Sequence, residues 1–195
     1  MGWGRLVMDA LIPAFIIAAL AEMGDKSPWL AAILAARFGR AAPVVLGIVA
    51  AAALASIISA VAGALIQPLL TPNARLLFLA VALVFSGVTG FLALRRPDDL
   101  ENWRIGAFAT SFLGLFILQF GEGTQFLVAG LAANAKVPAL AAAGATLGIC
   151  AVTIPMALAG TALRDRLPIR AMRIIPAILF LVTGLWAAVS ALRLI

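Results

Sequence analysis

Apolar residues fill six long stretches of this chain, roughly 9–36, 42–66, 74–95, 105–133, 138–162 and 171–193. Each is about as long as the ~20 residues a helix needs to cross the hydrocarbon core of a bilayer. The breaks between them are short and rich in Gly, Pro, Asn and Arg: "RFGRAAP", "QPLLTPNAR", "RRPDDLENWR", "NAKVP" and "RDRLPIR". Such residues end helices and expose the chain to water. The pattern predicts an all-α membrane protein with six transmembrane helices in a single membrane domain, 1–195. The one sizeable hydrophilic stretch, 95–104, separates three helices from three.

Composition agrees. The chain is 65% hydrophobic and 11% charged, with a mean hydropathy of +1.16, against about 25% charged residues in a soluble domain. Arg5, the apolar run after it and "ALA" at 19–21 have the form of a signal peptide. Apolar character resumes at Trp29, however, and the repeat described below needs the whole segment, so we read it as the first span. The net charge of +6 does not indicate a nucleic-acid partner, because most of the basic residues sit in short loops. Nine arginines lie in the loops after helices one, three and five, against four basic residues on the other side. The positive-inside rule makes the nine-residue side cytoplasmic and puts both termini outside, in a bacterial inner membrane. Trp3, Trp103 and Trp186 fit interfacial anchoring. With one cysteine, Cys150, and no histidine, thiolate and imidazole metal sites are unexpected. No nucleophile–base pair or phosphate-binding glycine loop suggests an enzyme, and no resident cofactor is expected.

The two halves repeat. A slide of 97 residues lays 9–98, the first three-helix unit, on 106–195, the second. Gly24, Gly47, Gly63 and Gly87 then fall on Gly121, Gly144, Gly160 and Gly184. Chance predicts about 0.6 such coincidences for this glycine content. Ser27, Ser56 and Ser86 fall on Thr124, Thr153 and Thr183. Three helices is an odd number, so each half crosses the membrane in the opposite sense to its copy. A 3+3 inverted-topology repeat is a common architecture of secondary transporters.

The same slide lays "EMGDKS" at 22–27 on "QFGEGT" at 119–124. Both polar stretches interrupt the middle of long apolar runs. Glu22 and Asp25 stand at i and i+3 and share a helix face, as do Gln119 and Glu122. Gly24 and Gly121 permit local unwinding, and Pro28 weakens the first helix further. Charges in mid-bilayer are expensive and usually functional. The assembled site would offer the carboxylates of Glu22, Asp25 and Glu122, the Gln119 carbonyl, and the hydroxyls of Ser27 and Thr124. Hard oxygen ligands suit Ca²⁺, Mn²⁺ and Mg²⁺. The three acids can also carry protons, so ion and proton would compete for one site. Gln125 is a candidate supporting partner. Lys26 has no counterpart, since Gly123 takes its place; it either pairs with an acid in the ion-free state or reaches away.

This arrangement resembles the transmembrane protein 165 family of calcium/manganese–proton antiporters, which has bacterial manganese-exporting relatives. The family's mark is a pair of Glu-x-Gly-Asp-(Lys/Arg)-(Thr/Ser) motifs on the first and fourth of six helices. "EMGDKS" matches in full, and by position Glu22 and Asp25 carry over as ion ligands. "QFGEGT" departs, with Gln119 for Glu, Glu122 for Asp and Gly123 for the basic residue, leaving three acids instead of four. The resemblance implies exchange of Mn²⁺, or second Ca²⁺, for protons, with outward metal movement driven by inward protons. An exporter of another small solute, such as an amino acid, is the alternative on a similar bundle, and a non-transporting scaffold is the alternative from another class. "GATLG" at 144–148 reads as helix packing within the monomer, with a homodimer contact as the other option. The acids of the central loop, Asp98, Asp99 and Glu101, read as solvated and partly self-paired.

Overall fold

The computed structural model describes residues 7–23, 25–92, 94–120, 123–160 and 168–192. A π-helical turn at Val7–Leu11 leads into α1, Ile12–Glu22. After it come α2 (Lys26–Phe38), α3 (Ala41–Ile66) and α4 (Pro72–Phe91). The second half holds α5 (Ala107–Phe120), α6 (Thr124–Asn134), α7 (Pro138–Ala159) and α8 (Ile169–Ala191). The described residues contain no strand.

Local chemistry sets the boundaries. Thr71 caps α4 by accepting from the Ala74 N–H at 3.3 Å, and Pro72 follows in the first turn, where its missing N–H costs nothing. Gly39 ends α2 in the left-handed conformation, at φ 61°, which favours glycine. α4 stops at Phe91 rather than at 95, and an irregular segment follows through Arg95, Arg96 and Pro97. Proline disfavours helix in the residue before it, and two adjacent arginines seek water.

Among the described residues four helices are long and apolar enough to cross a membrane: α3 with its 3-10 extension to Leu69, α4, α7 and α8. α5 and α6 together make a fifth candidate, bent by 69° at their junction. The expected unbroken spans 9–36 and 105–133 are each two helices. α1 and α2 are 11 and 13 residues long, and neither alone reaches across a hydrocarbon core about 30 Å thick.

α3 and α7 pack against each other at the centre; α1 and α2 lie along α7, α5 and α6 lie along α3, and α4 pairs with α8. Alanine dominates the central contacts, with Ala14, Ala18, Ala52, Ala60, Ala141 and Ala145 in one buried cluster. Small residues let helix backbones approach closely where lipid supplies no hydrophobic drive. Four of the repeated glycines, Gly47, Gly144, Gly87 and Gly184, stand at these crossings. A Cβ at Gly47 would lie 2.7 Å from the Ser111 Cβ on α5, and one at Gly144 would collide with the Leu11 carbonyl ahead of α1. One at Gly184 would lie 2.9 Å from Leu83 and Val84 on α4. At Gly87 it would lie 2.7 Å from Leu181 and 2.9 Å from the Ala177 carbonyl oxygen on α8. Overpacking of this kind costs about 1–3 kcal/mol. Gly87→Ala should therefore lower the melting temperature of detergent-solubilised protein, whereas Val81→Ala on the exposed face of the same helix should leave it unchanged.

Candidate functional site

Both helix breaks fall on the polar motifs. α1 ends at Glu22, and Met23 turns the chain out of the helix with ψ 113°. The Asp25 N–H still reaches the Glu22 carbonyl at 3.2 Å. The Asp25 carboxylate then caps α2, accepting from the Lys26 N–H at 2.8 Å. Asp is among the best N-caps. Pro28 lies in the first turn of α2, so it disrupts no hydrogen bond there. The sequence read as a weakened helix is thus a stop followed by a capped start. In the second half, α5 ends at Phe120 and α6 begins at Thr124.

The two breaks meet. Glu22 is fully buried, and the Thr124 hydroxyl donates to its Oε1 at 3.4 Å. Glu22 Oε2 has no hydrogen-bond partner. Thr153 of α7 faces the same carboxyl without closing a hydrogen bond of its own. Gln119, also fully buried, accepts from Gln125 Nε2 at 3.4 Å, and Gln125 Oε1 accepts from Ser59 on α3 at 2.7 Å. The Gln119 carbonyl keeps a second lone pair, while its Nε2 is unpartnered. Ser27 is buried at the start of α2.

Asp25 is half-buried and faces a cavity of about 50 Å³, which Ser86, Thr89, Thr124 and Arg173 also line. Lys26 points elsewhere, into a separate cavity of about 240 Å³ beneath the central loop, where Asp98 and Trp103 also lie. Arg37 pins that loop by donating to the carbonyls of Leu100, Glu101 and Trp103 at 2.6, 3.1 and 3.0 Å. The loop is partly self-paired, with Arg96 and Asp99 2.8 Å apart. Gly24, Gly121 and Glu122 lie outside the described residues. Among the described residues no three His, Cys, Asp or Glu gather as a metal site; Glu22 and Asp25 supply two acids.

Sequence reasoning missed three neighbours. Thr153 was visible as the partner of Ser56 in the repeat, but its approach to Glu22 depends on how α7 packs on α1. Ser59 falls on Met156 in the slide and carried no signal. Arg173 counted as a loop arginine, yet it lines the cavity with Asp25.

A family model described as "Divalent cation/proton antiporter GDT1" matches residues 10–98 and again residues 107–194. The chain belongs to this family. Over 187 residues it is 29% identical to a Vibrio cholerae serotype O1 protein named "Putative manganese exporter", covering 93% of this chain and 92% of that one. No solved structure matches it. The protein is a membrane cation transporter of the divalent cation/proton antiporter kind, not an enzyme.

The Gln119–Gln125–Ser59 chain can be tested alone. Gln125→Leu strands two buried polar groups, at about 1–3 kcal/mol each. It should lower the melting temperature in detergent clearly more than Gln125→Glu, which keeps an acceptor for Ser59.

Proposed function

We propose that this chain exchanges Mn²⁺, or second Ca²⁺, for protons at a site formed by both helix breaks near the bilayer midplane. Glu22, Asp25 and Glu122 bind the ion and carry the protons. Gln119, Ser27 and Thr124 complete the oxygen shell. The observation that carries this reading is the Glu22–Thr124 contact at 3.4 Å, between residues 102 apart. It joins the full motif of the first half to the altered motif of the second. The name of the Vibrio cholerae relative favours manganese.

In this reading α1 with α2 and α5 with α6 are broken spans, giving six in a 3+3 inverted repeat. The family model supports it by matching twice at a 97-residue offset. The packing supports it as well, because the slide exchanges the α1–α7 contact with α5–α3, and α2–α7 with α6–α3. The protein sits in a bacterial inner membrane with the loops after helices one, three and five on the cytoplasmic side.

One contact breaks the symmetry. α4 packs along α6, whereas α8 makes no comparable packing with α2 among the described residues. The Phe126 ring of α6 lies 6.3 Å from both Phe78 and Phe85 of α4. The slide equates these with Trp29, Ile175 and Val182. With the cytoplasmic side as assigned, we read α4 as closing the outer path and the cavity of about 50 Å³ beside Asp25 as lying on the inner path. Transport then swaps the contacts: α8 closes on Trp29 as α4 leaves Phe126. In a Cys150→Ser background, cysteine pairs at 126 with 85 and at 29 with 182 should cross-link in a mutually exclusive way, shifting oppositely when a pH gradient is imposed. Pairs that respond together would argue against this exchange.

Proteoliposomes loaded with a pH-sensitive dye test the function itself. Added Mn²⁺ should drive proton release, and Glu22→Gln and Glu122→Gln should each cut it by about tenfold or more. Metal ligands must be deprotonated, so the apparent Mn²⁺ affinity should rise with pH and fall as the medium is acidified. Absence of metal-driven flux in folded protein, or flux that survives both substitutions, would overturn the proposal and favour the solute-exporter reading.

A further inference from the structure

The cavity beside Asp25 contains a permanent positive charge, an odd fitting for a site that receives cations. Arg173 stands in the second turn of α8. An interfacial arginine would normally extend toward water. Arg173 instead turns inward to line the cavity with Asp25, and its guanidinium donates to the Thr89 carbonyl of α4 at 3.4 Å. Gly90 makes room: a Cβ there would lie 2.6 Å from the Ala177 Cβ, so α4 and α8 approach closely beside Arg173. The guanidinium lies within electrostatic reach of Asp25.

The other groups around Asp25 do not replace it. Glu22 adds a second acid. Lys26 gives Asp25 its backbone N–H, and its charge also reaches Asp25, but its side chain lines the other cavity. Glu122 lies outside the described residues. In the slide, Leu76 of α4 takes the place of Arg173, so the cation belongs to one half only.

We propose that Arg173 is a tethered counter-cation for Asp25, a positioning and selectivity residue that balances the carboxylate when no ion is bound and yields when a divalent cation arrives. The inference rests on the reading of Asp25 as an ion ligand. A guanidinium suits the role because it stays charged at any working pH. A divalent ion replaces one positive charge with two and gains attraction, whereas a sodium ion replaces like with like and gains little. The cost of breaking the pair is shared by every cation, so it leaves a divalent ion with net attraction and takes a monovalent ion out of the binding range.

The test uses the full chain purified in detergent. Mn²⁺ titration should show Arg173→Gln binding about fivefold or more tightly than wild type, with Arg173→Lys close to wild type. Sodium should compete with Mn²⁺ in Arg173→Gln and not in wild type. In metal-free protein, the melting-temperature effects of Asp25→Asn and Arg173→Gln should be non-additive in the double variant. Equal or weaker Mn²⁺ binding by Arg173→Gln, or additive melting shifts, overturns the proposal. If wild type binds no Mn²⁺, the antiport reading fails, and the metal-free melting cycle alone decides whether Arg173 and Asp25 are paired.

Discussion

A helix that stops inside a membrane exposes N–H and C=O groups that lipid cannot satisfy, so such a stop survives only inside protein or beside a polar cavity. This chain places two helix stops on the polar motifs that interrupt its long apolar runs. The rest of the structure follows from keeping lipid away from them. Asp25 satisfies one orphan N–H by capping α2. α7 and α3 cover the breaks, and their small residues allow the close approach that covering requires. Unpaired oxygen and nitrogen atoms remain there on Glu22, Gln119 and Thr153, all fully buried. Such atoms are costly in apolar surroundings unless something polar meets them.

The glycines bind the two levels together. Gly47 and Gly144 sit where the long central helices meet the first segment of each broken pair, and Gly87 and Gly184 sit on the two faces of the α4–α8 contact. At these two pairs equivalent positions make equivalent close approaches, whereas Gly63 is packed against α6 and its counterpart Gly160 is not. The α4–α8 pair is the part that departs from symmetry, since α4 packs along α6 while α8 makes no comparable packing with α2 among the described residues. In the proposed exchange this pair opens one path while closing the other.

Much of this was legible in the sequence. The apolar stretches gave the four long helices to within a few residues, because span length is set by bilayer thickness. The 97-residue offset came from glycine columns, and the two family matches begin 97 residues apart. The sequence also marked Glu22 and Thr124 as site residues and Gln125 as a supporting partner, and the structure joins Thr124 to Glu22 and Gln125 to Gln119. Other features were hidden for physical reasons. A residue at a helix end can extend to water or fold back, and nothing in "RAMR" distinguishes the two for Arg173. Ser59 lies on a helix face whose neighbour only packing decides. Pro28 reads as a helix breaker, yet its consequence depends on Asp25 starting a new helix three residues earlier.

The central claim is that carboxylates from both halves hold one divalent cation. The most direct test is to count Mn²⁺ bound per chain, by electron paramagnetic resonance of the free ion in equilibrium with purified protein near neutral pH. The account predicts one Mn²⁺ per wild-type chain and its loss in both Glu22→Gln and Glu122→Gln, with folding verified in each. Wild-type binding retained by Glu122→Gln would contradict it, because the ion would then belong to the first motif alone.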